Sequence, residues 1–357
     1  MYRIISKQDG LEGDLYISVV VLAYKRKEFI LEAVQSVIDQ TLERSKYEII
    51  VVKNFIDDEI DDFLKKNEVL NIYSDEESLG SKVACGIENA HGEVISFLED
   101  DDLFLPFKLK EINEIFQQNK DVFYFRNGII VTKKVEDVKN RLSDNEKLPS
   151  KIKNFRISEL SSLRKIYIIQ EKYGVWNTSS ISIRKDSFIP FLQELHQVNH
   201  GLEILLFSFA MLSDKNNITS FQMKPLSIYR VHDSWTGYSV NSDMNERINK
   251  NIQVSELGIA AYRNLIKIMS TNYSDKRNST LMITFSTIAI NAWRVQTNLA
   301  QSKKCTLAET FYLIKLGIYR KHVEILLSVP LSILSIFSPN YAGKLFRVGL
   351  VWKQLSD

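Results

Sequence analysis

The chain has 357 residues, of which 45% are hydrophobic and 25% charged, the balance of a folded globular protein of two or three structural units. A formal net charge of +2 supplies no strong basic field and argues against nucleic acid as a partner. Only two cysteines occur, Cys85 and Cys305, far apart, which argues against a disulfide framework or a zinc cluster and fits a reducing compartment.

The first residues, MYRIISKQDGLEGDLYISVVVLAY, lack a signal-peptide layout because charged residues and glycines interrupt them. A cytoplasmic N-terminal domain is the expectation. Ile17 to Tyr24 is a continuous β-branched run, as in a strand buried on both faces. Phe29, Ile30, Ala33, Val34, Val37 and Ile38 then recur at helical spacing. Glu48 to Val52 reads as a second strand, and Asp57 to Lys66 as a helix whose charges run from acidic to basic, favourable for its dipole. Val69 to Tyr73 reads as a third strand, Gly80 to Ala90 as a helix and Glu93 to Leu98 as a fourth strand. This alternation predicts an open, mostly parallel sheet.

Beyond Gln118 the pattern changes. Val122 to Lys134 predicts a long strand or hairpin, and residues 135–155 a polar loop. Ser179 to Lys185 and Met223 to His232 read as strands, with a helix from Leu202 to Leu212 between them. From about Asp243 the chain reads as helical, and no internal repeat is visible.

In open parallel sheets ligands sit outside the carboxyl ends of the strands. Three such ends carry polar or charged residues: Tyr24-Lys25-Arg26, Lys53-Asn54, and Glu99-Asp100-Asp101-Asp102. Four adjacent acids repel one another. They could simply cap the helix that follows, but at the end of a buried strand they suit a hard divalent cation, Mg2+ or Mn2+. Such an ion bridges a diphosphate and offsets the charge of a departing phosphate.

At these residues the sequence resembles the family 2 inverting glycosyltransferases, which have the GT-A fold. ISVVVLAYKRKEFILEAVQSVIDQT followed by YEIIVVKN looks like the family's opening. GSKVACGIENAHGEVISFLEDDDLFLPFKL ends similarly to the signature GE-x-I-x-F-L-D-x-D-D-x-x-x-P-x-x-L, and KPLSIYRVHDSWTGYS resembles YR-x-H-x-x-x-x-S. The likeness is specific over about 17–118 and patchy to about 238. It implies a Rossmann-like α/β catalytic domain over 1–240, with a nucleotide-sugar half over about 15–120 and an acceptor half over about 121–240. Residues 241–357 form a helical C-terminal region.

By the resemblance, Tyr24 would stack on the nucleotide base, with Arg26 supporting base or phosphates; packing and solvation are their plain alternatives. The second strand end usually carries Asp. Here it is Lys53-Asn54, so Asn54 could bond the base edge, while Lys53 could meet a phosphate or stay solvated. The metal motif falls on Glu99-Asp100-Asp101, with Asp101 and Glu99 as ligands and Asp100, or Glu99, toward the ribose. Asp102 would shape the turn or help hold the acceptor. Gly80 would permit a tight turn and Lys82 approach the diphosphate.

An inverting transfer needs one carboxylate to take the acceptor's proton, not the close pair of a retaining hydrolase. The family places this base in a Glu-Asp string opening a helix; the matching stretch HQVNHGLEILLFSFAML offers only Glu203, with His196 and His200 as alternatives. An acid there also serves the helix dipole. Arg230 and His232 would line the diphosphate, Trp235 could stack on a sugar, and Ser179 and Ser180 fall near the acceptor pocket.

From Phe311 to Asp357 six basic residues face two acids. The apolar run Ile325 to Phe337 is thirteen residues and holds Pro330, too short to span a bilayer, which needs ~20. The tail fits an interfacial helix on an anionic membrane, or a helical subdomain or oligomer contact. Membrane contact would suit a lipid-linked glycan acceptor. Two rivals remain: a sugar nucleotidyltransferase, disfavoured because the loop after strand one has no glycine, and a non-catalytic sugar-nucleotide-binding or scaffold relative.

Overall fold

A computed structural model of the protein describes residues 2–6, 16–139, 151–173, 177–232, 244–273, 276–320 and 323–356. The chain forms two compact units, one of residues 1–160 and 173–231, the other of 161–172 and 232–357.

The first unit is built on a ten-stranded mixed sheet. Its strands are β1 (Tyr2–Ser6), β2 (Ile17–Ala23), β3 (Tyr47–Lys53), β4 (Leu70–Ser74), β5 (Val94–Glu99), β6 (Leu103–Phe104), β7 (Val122–Thr132), β8 (Ile152–Arg156), β9 (Ile181–Arg184) and β10 (Ile218–Arg230). They are ordered β1-β4-β3-β2-β5-β9-β7-β10-β6, with β8 on β10. The inner strands β4, β3, β2 and β5 are parallel. Every residue of β2 and β3 is buried, which is why their apolar runs are unbroken rather than alternating. The four-residue β9 joins the two halves, pairing antiparallel with both β5 and β7.

Four helices accompany the first half: α1 (Ile30–Ile38), α2 (Asp58–Lys66), α3 (Leu79–Glu88) and α4 (Lys108–Gln118). Helix α1 buries Ile30, Ala33, Val34 and Val37, the predicted stripe. Asp57 caps α2 by accepting the Ile60 N–H, and Ser78 caps α3 by accepting the Ser81 N–H. The next helices are α5 (Leu163–Tyr173) and α6 (Leu202–Leu212).

Two stretches depart from the sequence reading. Residues 135–155, read as a polar loop, include a helical turn at Val135–Lys139 and strand β8, which pairs antiparallel with Ile218–Gln222. Most of β8 is exposed, so no apolar alternation marks it. Strand β10 starts five residues earlier than read. It runs parallel to β7 with register shifts around Pro225, where the missing N–H cannot join the ladder.

The second unit is helical: α7 (Met244–Asn272), α8 (Arg277–Ala300), α9 (Leu307–Arg320), α10 (Val323–Phe337) and α11 (Pro339–Ser356), with residues 161–172 of α5. Tyr167 stacks on Tyr319 at 5.7 Å and packs on Phe285. Among the described residues, no helix is long and apolar enough to cross a membrane.

Candidate active site

The parallel register sets the site. Leu22 pairs with Glu99 and with Val52, and Ala23 pairs with Lys53. The residues that follow β2, β3 and β5 therefore emerge along one edge.

After β2 the chain turns at Lys25, whose φ of 60° is left-handed. Asn54 secures this turn: its Oδ1 accepts the Lys25 N–H at 2.8 Å. The turn leaves Tyr24 40% exposed. Its ring has the Lys25 Nζ at 4.8 Å and the Lys82 Nζ at 4.6 Å from its centroid. Lys82 is otherwise buried and donates to the Glu76 carbonyl, and burial pulls its pKa down. An accessible aromatic face flanked by two ammonium groups suits a planar base carrying a phosphate chain.

Lys53 corrects its reading, since it is neither solvated nor open to a phosphate. It is fully buried, ion-paired with Asp61 at 2.7 Å and donating to the Phe55 carbonyl at 2.7 Å. Asn71 adds a bond to the same Asp61 oxygen at 2.7 Å. Gly80 is also used differently. It lies inside α3, where a Cβ would sit 1.8 Å from the Leu195 carbonyl oxygen. Close approach, not a turn, requires glycine there. The Gly80 N–H and the Ser78 hydroxyl both bond the Val198 carbonyl, at 2.8 Å. The alternative bases His196 and His200 are exposed, and His196 Nδ1 lies 3.2 Å from the Ser81 hydroxyl.

The carboxylate turn is the chemical centre. Glu99, Asp101 and Asp102 each bring an oxygen within 4.8 Å of the others. Arg26 forks across two of the acids, at 2.6 Å from Asp100 Oδ1 and 2.6 Å from Asp101 Oδ2. Asp100 Oδ2 is buried with no hydrogen-bond partner. Burial, opposed by Arg26, leaves the Asp100 carboxyl raised to about 6.

Asp102 is held on all sides. Its Oδ2 accepts from Ser179 Oγ at 2.6 Å and Asn177 Nδ2 at 2.8 Å, and its Oδ1 from the Arg230 N–H at 3.1 Å. Burial and the Asp101 charge nonetheless push its carboxyl to about 7. Arg230 also donates through Nε to the Asp101 carbonyl at 3.1 Å and pairs with Glu32 on α1 at 2.8 Å, its guanidinium 4.5 Å from the Phe29 ring. Ser179 in turn accepts the Glu99 N–H at 3.0 Å. Ser180 is buried and spends its hydroxyl on its own turn, donating to the Asn177 carbonyl at 2.6 Å.

Helix α6 is buried except at Glu203, the one position where its first turn opens. The Glu203 carboxylate accepts from Thr178 and from its own N–H, and burial raises its pKa. Glu99 is raised well above the usual range, chiefly by burial, then by Asp102, Asp101 and Glu203. Glu203 thus belongs to the same acidic field as the turn.

Sequence reasoning missed what supports this field. Lys108, the first residue of α4, is fully buried; its Nζ donates to the Ser179 carbonyl at 2.5 Å and Ser227 Oγ at 3.0 Å, 3.6 Å from the Phe104 ring centroid. Asn177 and Thr178 reach the acids just before β9. The visible signal was NTSS, four small polar residues leading into a buried strand. His232 is half-buried and opens the second unit. Trp235 lies outside the described residues.

The donor set is all oxygen, which fits a hard divalent cation. Glu99 and Asp101 would hold it, because both Asp102 oxygens are already bonded within the protein. Asp101 would then exchange part of its Arg26 pairing for the ion.

Comparison with known proteins bears on the family match and the fold. Residues 18–174 match the family model of Glycosyl transferase family 2. An uncharacterized glycosyltransferase of Rickettsia conorii is 26% identical over 166 residues, which is 44% of this chain and 27% of the relative. The putative teichuronic acid biosynthesis glycosyltransferase TuaG of Bacillus subtilis is 29% identical over 115 residues, 30% of this chain and 45% of that protein. The chain therefore spans less than half the length of these curated relatives. Among solved structures, S. aureus TarS 1–349 superimposes with a TM-score of 0.51 at 12% identity, over 94% of this chain and 92% of that one. Its complex with UDP-GlcNAc gives 0.50 at 13% identity. The match to the family 2 glycosyltransferases thus covers residues 18–174, and the fold is of the GT-A type.

Proposed function

We propose that this protein transfers a glycosyl group from a nucleotide-sugar donor to an acceptor hydroxyl, with inversion and with a divalent cation, Mg2+ or Mn2+, held by Glu99 and Asp101. The observation that carries the reading is the cluster of Glu99, Asp101 and Asp102, whose oxygens lie within 4.8 Å of one another where β5 ends.

Tyr24 offers its face to the base, and Lys82 and Lys25 stand where the diphosphate would run. Asp100, paired with Arg26, meets the ribose. When bound, the cation would neutralise charge on the departing diphosphate. Glu203 takes the proton from the acceptor hydroxyl as that oxygen bonds to the anomeric carbon. The carbon–oxygen bond to the diphosphate breaks, and the nucleoside diphosphate leaves. A carboxylate raised by burial is a stronger base near neutral pH than an exposed one. Asp102 fixes the turn rather than reacting, and Arg230 and Ser179 hold it there.

The acceptor is a glycan hydroxyl, and a lipid-linked glycan is the class that membrane contact would suit. TarS binds UDP-GlcNAc, so uridine diphosphate sugars are the first donors to test. Donor turnover would be followed with Mn2+ or Mg2+, the anomeric configuration of the product read by NMR, and Asp101→Asn and Glu203→Gln compared with the parent. Inverted product lost in both variants supports the reading. Donor binding without turnover under any acceptor would favour the non-catalytic relative.

A further inference from the structure

We infer that the outer rows of α9, α10 and α11 form a docking surface for an anionic lipid bilayer. The inference rests on no step of the transfer reading.

Over residues 328–337, whose side chains are described, helix α10 buries serines and exposes apolar residues. Its buried side carries hydroxyls: Ser332 Oγ meets Thr310 Oγ1 at 3.1 Å, and Ser335 Oγ accepts the Cys305 N–H at 3.0 Å. Both serines are fully buried. Its outward side presents Ile333, 45% exposed, and Phe337, 82% exposed. A helix whose only environment is water would place these residues the other way round. The two neighbours also expose apolar rows. Helix α9 buries Leu313 and exposes Leu307, Phe311 and Ile318 along one side, while α11 buries Ala342 and exposes Tyr341, Leu345 and Val348. Exposed apolar rows on three consecutive helices exceed the scattered residues of an ordinary surface.

Charge selects the occupant. Lys303, Lys304 and Lys344 are exposed, and Lys315 lies across the Phe311 and Tyr312 rings at 4.5 and 5.5 Å from their centroids. Among residues 303–349 whose side chains are described, the one acid is Glu309. It is buried and accepts the Thr306 N–H at 2.8 Å. Apolar rows fringed by cations are the composition of an interfacial helix on anionic lipid. A second copy of the chain would bring the same cations against each other, which disfavours it.

The test is flotation of the full chain with vesicles of phosphatidylglycerol and phosphatidylcholine, compared with phosphatidylcholine alone. Binding is expected to the anionic vesicles and to weaken with salt. Phe311→Ser with Phe337→Ser should lower it by at least about tenfold, two large apolar contacts being lost. Lys303→Gln with Lys304→Gln should lower it about fivefold per charge removed. All four positions are exposed, so unchanged circular dichroism and melting are expected and serve as the folding control. Failure to float, equal binding to neutral vesicles, or a concentration-dependent dimer that the phenylalanine pair disrupts would each overturn the proposal. Because vesicle binding needs neither donor nor acceptor, these outcomes are independent of whether the chain transfers sugar.

Discussion

Strands β3 and β5 both end in charge along the same edge of the sheet, and they treat it in opposite ways. At the end of β3, Lys53 is sealed by Asp61, the Phe55 carbonyl and the Asn71 bond to Asp61. At the end of β5, Arg26 pairs with two of four carboxylates and hydroxyl and amide donors hold Asp102; three of the four are pushed upward in pKa, and among the described residues one Asp100 oxygen has no partner. A charge that closes its own account locally is architecture. Charges left in mutual repulsion beside an accessible aromatic are where a ligand finds its affinity.

The largest expected effect is on Glu203. Glu203→Gln keeps shape and removes the proposed base, so kcat should fall by about 10²–10⁴-fold with melting temperature nearly unchanged; stopped assays of donor consumption measure it. Lys53→Met is its counterpart at the sealed end. It should cost about 2–3 kcal/mol of stability, the worth of a charge-assisted hydrogen bond, yet leave turnover per folded molecule intact. Reduced turnover at unchanged stability would break the comparison, since Lys53 would then act on the donor.

The pH dependence sharpens it further. Asp102 is raised to about 7 and Asp100 to about 6, with Glu99 and Glu203 raised as well. A raised carboxylate stabilises the fold when protonated, fully below its ordinary value near 4 and less as pH climbs through the raised one. The metal-free protein should therefore lose melting temperature from about pH 4 to pH 7. Added Mn2+ needs the ionised carboxylates, so its stabilising shift should grow over the same interval. Lys53→Met should leave both slopes alone; a flat cation response across the range would remove the metal from the reading. The smallest effect is at Tyr24, where Tyr24→Ala should weaken donor binding by about 1 kcal/mol, about fivefold in Kd by calorimetry.

Legibility in the sequence followed burial. The strands β2, β3 and β5 were readable because both faces are covered, so apolar runs, edge position and the acids at the strand end all coincide. The edge strand β8 was not, because IKNFR exposes nearly every side chain and forms through pairing with β10. At the candidate site, the acid run after β5 stood out from local context, whereas Glu203 was named only through the family resemblance. Lys108 could not: a first-turn lysine reads as solvated, and its burial depends on Ser179 and Ser227, 71 and 119 residues away. Lys53 failed for the same reason, its partner lying on the next helix.

The contact at Gly80 has a consequence in time. The bonds from Ser78 and Gly80 to Val198 close a loop of 120 residues, and they anchor the segment that delivers Glu203. Contacts of such separation form late, and chains emerge from the ribosome N-terminus first. A nascent chain holding β2 to β5 can already build the edge that carries Tyr24 and the acids. Competence to hold a donor should thus precede, during synthesis, competence to consume it.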